Sequence, residues 1–322
     1  MHAAPFTMHL ILAPMQGLLD PVMRHLLTRI GGYNECVTEF VRITHTLHSR
    51  ATWRRHMPEI DHDCRTPAGT PCTLQLLGSD PENMAANACA AAAAGARKID
   101  LNFGCPAPTV NKHQGGAILL RELERIRQIV STVRQRLPEN IPLTTKMRLG
   151  YDSDHLAIEC AQAIAQGGAA ALAVHARTKT QGYRPPAHWP QIARIRQAVS
   201  IPVIANGDVF SLADYLAIRQ SSGCKASCSA RRRHHPDLGR QSPATTKASR
   251  PIPPLLPTTS FGCANSSSSA AKKPATPLPV ARLKQWLGMM KPHHPRPNSS
   301  SPSCAPPHPA EVEHLLEHYP AN

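Results

Sequence analysis

Seven short apolar runs recur along the first two thirds of the chain, and helix-like stretches separate most of them. This alternation restricts the fold more than any other feature. The runs are HLILAPM (9–15), ECVTEFVRI (35–43), CTLQLLG (72–78), KIDLNFG (98–104), LTTKMRLG (143–150), ALAVHART (171–178) and IPVIANGDV (201–209). Between them, PENMAANACAAAAAGA (81–96) is Ala-rich and ends in Gly. RELERIRQIVSTVRQRL (121–137) places apolar residues at helical spacing on a charged face, and DHLAIECAQAIAQGGA (154–169) closes on a Gly pair, as helix C-termini often do. Strands that alternate with helices form a parallel sheet. Seven units point to an α/β fold, a (β/α)8 TIM barrel, more than to a doubly wound sheet. No GxGxxG fingerprint follows any of the runs.

The chain of 322 residues accommodates one such barrel and a smaller second part. No apolar run approaches the ~18–20 residues that a bilayer span needs. The N-terminus lacks the basic-then-apolar order of a secretory leader, so the expectation is a cytoplasmic protein with no membrane contact. The ten cysteines show no CxxC pair, which leaves them reduced and gives no spacing for a metal. The net charge of +15 fits a protein that meets a polyanion such as nucleic acid, and equally an enzyme with a basic surface.

In a barrel, chemistry sits on the loops at the C-terminal ends of the strands. Polar and conformationally special residues collect there: Pro14, Met15 and Gln16; Glu39 and Arg42; Gln75; Asn102 and Cys105; Lys146 and Arg148; His175 and Arg177; Asn206 and Asp208. At any single strand end this needs no function, but here it happens at seven in succession. Cys105 stands between Gly104 and Pro106, where neither strand nor helix continues easily. A thiol held at such a break is either a nucleophile or proton donor, or a small buried hydrophobe. Lys146 and His175 face the same mouth, where Lys suits an anionic ring or phosphate and His a hydrogen bond or a proton.

After residue 223 the pattern fails. An eighth strand is due, but CKASCSARRRHHPDLGRQ (224–241) holds no apolar run. Pro- and Ser-rich chain follows, and 17 of the 32 prolines lie from residue 224 onward. That composition reads as low complexity. One amphipathic island, VARLKQWLGMMK (280–291), and a weaker one, AEVEHLLEHY (310–319), stand within it. The organisation expected is a barrel over 8–223, a degraded barrel end over 224–279 that leaves two sheet edges unpaired, and the remnant of a small helical domain over 280–322.

The motifs LAPMQGLLD, TEFVR, LQLLG, DLNFGCPAPTVNKHQGGAILL, KMRLG, VHARTKTQGY and IPVIANGDV resemble, in order and spacing, those of the tRNA-dihydrouridine synthases. The resemblance spans roughly residues 8–223. APMQGLLD, TEFVR and ARLKQWL look most like the bacterial subfamily that acts on uridine 16. The resemblance implies a monomeric flavoprotein in which NADPH reduces FMN, and FMN passes hydride to C6 of a uridine turned out of the tRNA D-loop. Cys105 resembles the general acid that protonates C5, and Gly115-Gly116 resembles a flexible loop near the substrate. By the same resemblance Pro14, Met15, Gln16, Gln75, Lys146, His175, Asn206, Gly207 and Asp208 look like flavin contacts. Arg42, Asn102 and Tyr183 look like tRNA contacts, as do Arg282, Leu283, Lys284 and Met289 in the island.

The chain departs from the family at its eighth strand, where a Gly-Arg pair normally holds the FMN phosphate. Spacing places that pair at Ala230 and Arg231, and Arg231 lies in an Arg run. Fragments such as PDLGRQ and ARLKQWLGMM look intact within altered surroundings. The expectation is a reading frame disrupted near codon 224 and restored in places, with genuine divergence of the tail as the alternative. Two other readings stay open: a different FMN barrel acting on a small pyrimidine, and an inactive frame-disrupted product with only non-specific RNA binding.

Overall fold

The structure is a computed structural model and describes residues 8–229. Its strands are β1 (His9–Leu12), β2 (Glu35–Val37), β3 (Val41–Arg42), β4 (Cys72–Leu77), β5 (Ile99–Phe103), β6 (Leu143–Gly150), β7 (Ala171–Thr178), β8 (Val203–Asn206) and β9 (Ala226–Ser229). All pair in parallel, and β9 joins β8 to β1. β2 and β3 both pair with β4, so they are two halves of one stave. The single run expected over 35–43 is thus broken at Thr38–Phe40. Eight staves close into a barrel.

The helices are α1 (Pro21–Ile30), α2 (Arg50–His56), α3 (Pro81–Ala94), α4 (Pro108–Lys112), α5 (Leu123–Arg136), α6 (Ala157–Gln166), α7 (Trp189–Ala198) and α8 (Leu212–Ser222). Their ends are written in local chemistry. Asp20 accepts a hydrogen bond from Met23 N at 2.9 Å and Asp80 from Asn83 N at 2.8 Å, each just before a Pro that needs no partner for its nitrogen. Ser211 and Asp214 form a reciprocal capping box on α8. α3 stops at Gly95, in the left-handed region at φ 119°. On α5, Ile126, Ile129, Val130 and Val133 are wholly buried. Each such side chain contributes about 1.5–3 kcal/mol relative to exposure, which holds the amphipathic helix on the barrel wall.

Along the strands alternate residues point into the barrel. Inside β1, β2 and β9, Ile11, Ala13, Val37 and Cys228 pack together against Ile204, and Glu35 of β2 lines the same interior. The β4–β6 side is polar. Gln75, Asp100, Thr144 and Lys146 line a cavity of about 30 Å³, room for about two waters.

The expectation of two unpaired sheet edges is corrected here. β9 lies inside the segment read as a degraded barrel end, and it is bonded on both sides, from His9↔Ala226 to Leu12↔Ser229 and from Ile204↔Ala226 to Asn206↔Cys228. A parallel stave needs backbone donors and acceptors first, and bulky apolar side chains only where there is space to fill. Here the residues are small. Ser227 Oγ donates to Ala205 O at 3.1 Å and Ser229 Oγ to Val209 O at 2.8 Å, so the buried hydroxyls are satisfied. The amphipathic islands at 280–291 and 310–319 lie outside the described residues. Among the described residues, no helix is long and apolar enough to cross a membrane, and no group of His, Cys, Asp and Glu could hold a metal ion.

Candidate functional site

Cys105 follows β5 directly, and its backbone is clamped from three sides. Its carbonyl accepts from Asn111 Nδ2 at 3.0 Å and from Ala117 N at 3.1 Å. Asn111 Oδ1 in turn accepts from Ile118 N at 2.8 Å, which ties α4 to the segment after Gly116. Gly116 has φ +68°, and a Cβ there would stand 2.8 Å from Cys105 O and 3.1 Å from Cys105 Cβ. Close approach to Cys105 therefore explains this glycine. The side chain of Cys105 is 8% exposed and packs among Leu77, Val110, Phe40 and Ala107. Burial pushes its thiol pKa up, against the backbone hydrogen bond from Ala107 and the positive charge of Arg148. The group is therefore a protonated thiol at neutral pH, suited to giving a proton rather than to attacking as thiolate.

Around the mouth the donors converge from neighbouring strands. Lys146 Nζ donates to Asn206 Oδ1 at 2.7 Å, and Asn206 Nδ2 donates to Cys228 O at 2.7 Å. Burial lowers the Lys146 pKa. His175 is buried, and burial followed by the charges of Lys146, Arg148 and Arg177 holds its pKa well below the ordinary value. The imidazole is neutral at pH 7. Arg148 donates to Gly104 O at 2.9 Å, to Thr178 O at 3.0 Å and to Gly182 O at 2.8 Å. It thereby joins the Cys105 turn to the loop after β7. Arg177 pairs with Asp208, whose carboxylate also accepts from Ala187 N at 3.0 Å.

The residues singled out in the sequence divide into groups. Gln75, Lys146, His175 and Asn206 come together on the inner wall, with Gly207 and Asp208 in the turn after β8. Pro14 lines the cavity, and Met15 O receives the turn through Leu18 N and Leu19 N. Gln16 is exposed, and its Oε1 accepts from Phe40 N at 3.1 Å. Asn102 lies beneath the Cys105 turn, with Nδ2 on Gln75 Oε1 at 2.8 Å and Oδ1 receiving Gly104 N at 2.8 Å. Arg42 is exposed at the end of β3. Tyr183 is 70% exposed, 5.1 Å under the Arg148 guanidinium and 6.0 Å from the His175 ring. Ala230, Arg231, Arg282, Leu283, Lys284 and Met289 lie outside the described residues. Sequence reasoning passed over Asp100, Thr144 and Asn111. The signal for the first was its position two residues before Asn102, on the same inward face of β5.

The wall fits a flavin. Lys146, Gln75 and Asn206 present N–H donors, the neutral His175 imidazole presents one, and Lys146 brings a cation to receive a ring that gains negative charge on reduction. At Gly207, φ is +127°, and a Cβ would stand 3.0 Å from Ala187 Cβ and 3.4 Å from His175 Cδ2, so backbone lies where a side chain has no room.

Comparisons with known proteins bear on the family of the chain. A family model described as dihydrouridine synthase matches residues 11–270. A tRNA-dihydrouridine(16) synthase of Neisseria meningitidis serogroup A is 58% identical over 289 residues, covering 88% of this chain and 85% of that protein. One from Aquipseudomonas alcaligenes is 45% identical over 88% of this chain and 90% of its own length. One from Ralstonia nicotianae is 55% identical over 67% of this chain and 66% of its own length. Among solved structures, histamine dehydrogenase from Rhizobium sp. 4-9 is similar at TM-score 0.51 and 15% identity, over 69% of this chain and 43% of that one. That likeness is one of fold.

Proposed function

The chain belongs to the dihydrouridine synthase family, and from that premise we propose that it reduces uridine 16 in the D-loop of tRNA, using FMN with NADPH as reductant. The observation that carries this reading is the buried Cys105 thiol, fixed at a strand tip beside a wall of donors from β4, β6, β7 and β8. Lys146, His175, Asn206 and Gln75 would hold the flavin, with Pro14, Met15, Gln16, Gly207 and Asp208 around them. Bound there, the flavin supplies a hydride to C6 of the uracil ring.

The chain's own residues do the rest. Cys105 holds the proton that passes to C5 as the C5–C6 double bond is reduced. Its S–H bond breaks and a thiolate remains, which the Arg148 charge stabilises until solvent returns a proton. Arg148 keeps the turn and the Tyr183 loop in one arrangement. Exposed Tyr183 and Arg42 stand at the mouth, where an aromatic face can stack an extruded base and a guanidinium can meet a phosphate. The formal charge of +15 favours docking on a polyanion.

The test is direct. The purified chain, supplied with FMN, NADPH and tRNA lacking dihydrouridine, should form dihydrouridine at position 16. Product only at another position refutes the positional reading, and absence of product with flavin bound refutes the assignment of activity.

A further inference from the structure

Three side chains beneath the Cys105 turn form a hydrogen-bond chain with a single direction. Gly104 N donates to Asn102 Oδ1 at 2.8 Å, Asn102 Nδ2 donates to Gln75 Oε1 at 2.8 Å, and Gln75 Nε2 donates to Asp100 Oδ2 at 2.7 Å. Thr144 Oγ1 donates to the other carboxylate oxygen, Asp100 Oδ1, at 2.6 Å. Gln75 is wholly buried, Asp100 is 6% exposed and Asn102 is 9% exposed.

Each amide could in principle be turned over, since its oxygen and nitrogen occupy similar space. The two ends of the chain decide. A backbone N–H only donates, and an ionised carboxylate only accepts; burial raises the Asp100 pKa, against the hydrogen bonds from Thr144 and Gln75 and the charges of Lys98 and Lys146, which favour the ionised form. With Gly104 N at one end and Asp100 at the other, a single pattern satisfies every bond. Turning Gln75 over sets its oxygen against the carboxylate and its NH2 against the NH2 of Asn102, in a place where each lost bond is costly.

We propose that Asp100 is a positioning residue for Cys105: its carboxylate sets the direction of the Gln75–Asn102 chain, and that chain holds Gly104 N and so the turn that carries the thiol. Asp100 touches neither the thiol nor the mouth. It acts through two amides, one of which, Gln75, also stands on the wall assigned to the flavin. The inference rests on the reading of Cys105 as the proton donor only for its catalytic consequence; the geometry of the turn is independent of it.

The experiment reads the turn without reading activity. Full-length chain is treated with iodoacetamide, and alkylation of the Cys105 peptide is followed by mass spectrometry at fixed pH. Asp100→Ala leaves Gln75 Nε2 without its acceptor in a buried place, loosens the Gln75–Asn102 link that backs Gly104 N, and raises the labelling rate of Cys105 about tenfold, the effect of leaving one buried polar group unsatisfied. Asp100→Asn keeps an oxygen for Gln75 and turns its NH2 toward the Thr144 hydroxyl, which can accept; labelling returns to within about twofold of wild type. Gln75→Met breaks the same chain one link further on, leaves Asp100 in place, and gives the same rise should Asp100→Ala fail to fold. Unchanged labelling in Gln75→Met, or a rise in Asp100→Asn equal to that in Asp100→Ala, overturns the proposal. Dihydrouridine formation measured on the same samples separates the two readings. Faster labelling with unaltered turnover leaves Asp100 as the determinant of the turn and removes Cys105 from the rate.

Discussion

Gly116→Ala should damage this protein far more than Gly115→Ala, although the two residues are neighbours. At Gly116 the backbone has φ +68°, which costs a residue with a Cβ roughly 1–2 kcal/mol. The added carbon would also meet Cys105 O at 2.8 Å, Val110 Cγ1 at 3.0 Å and Cys105 Cβ at 3.1 Å. Two of those atoms belong to the backbone or first carbon of Cys105 and cannot rotate away. Overpacking of this kind costs about 1–3 kcal/mol, for a combined loss of about 2–5 kcal/mol. For a domain of this size the middle of that range, about 3 kcal/mol, lowers Tm by roughly 6–12 °C. Gly115 has φ −108°, and its Cβ would meet Leu77 Cδ2 at 3.2 Å, the mobile end of a side chain, and Val110 Cγ1 and O at 3.6 Å, an ordinary contact distance. Gly115→Ala therefore stays within about 1 kcal/mol of wild type, since it also stiffens the unfolded chain. Thermal melts of the two variants side by side provide the assay, with dihydrouridine formation as second readout. Relieving the clash displaces Cys105, and misplacing a reacting group by a fraction of an ångström should slow turnover about tenfold or more. If the two variants melt within about 2 °C of each other, the close approach of Gly116 to Cys105 is not what the protein uses that glycine for.

Cys105→Ala should leave reduction of the flavin by NADPH unchanged and lower dihydrouridine formation by about 10²–10⁴, the usual range for a positioned acid; equal turnover would remove Cys105 from the reaction. Because burial raises the thiol pKa, the alkaline fall in rate should begin above the ordinary thiol value of about 8.5, and a fall centred below it would point to another acid. Stability should be complete above about pH 6.5 and decline as pH drops toward 5, because His175 has a folded pKa below the unfolded value and the unfolded chain then binds more protons. Burial lowers His9 and His56 in the same direction. Urea midpoints across that range measure the decline, and midpoints that rise on acidification would contradict it. Replacement of Lys146 by Met should release flavin while leaving tRNA affinity within about twofold, because its ammonium faces Asn206 and the barrel interior; flavin retained at full stoichiometry would sink that assignment.

The barrel was legible because its strands and helices each carry a distinct period, and the strand-tip residues because barrel geometry gathers them at one mouth. Lys146, His175 and Asn206 come together on neighbouring strands, and Cys105 stands at the tip of β5 among Leu77, Val110, Phe40 and Ala107. β9 was not legible, since Ala226, Ser227, Cys228 and Ser229 carry no apolar period; a strand whose side chains are small is recorded in its backbone pairing alone. The break at Thr38–Phe40 was hidden for the opposite reason. ECVTEFVRI carries strand-forming residues from end to end, with nothing to mark a break, while Thr38 Oγ1 accepts Gln75 N at 3.0 Å and takes the place of a ladder bond. Asp100 escaped notice because a lone carboxylate within an apolar strand has no partner in sequence. Its donors come from Gln75 and Thr144 on the two flanking strands.

The seam between β1 and β9 also fixes an order of events. His9 pairs with Ala226, and His9 N donates to the Tyr215 hydroxyl at 3.0 Å across 206 residues of chain. During synthesis β1 leaves the ribosome first and must wait, one edge bare, until the last stave emerges. At about 5–20 residues per second that wait is on the order of ten seconds to most of a minute. Contacts so distant in sequence form late and slow the final step. Because β9 brings few large apolar side chains to that step, closure depends on backbone bonds more than on collapse. Half-made barrels of this chain are thus the form most exposed to proteases and to edge-to-edge association, and a chaperone that covers β1 would act within that interval.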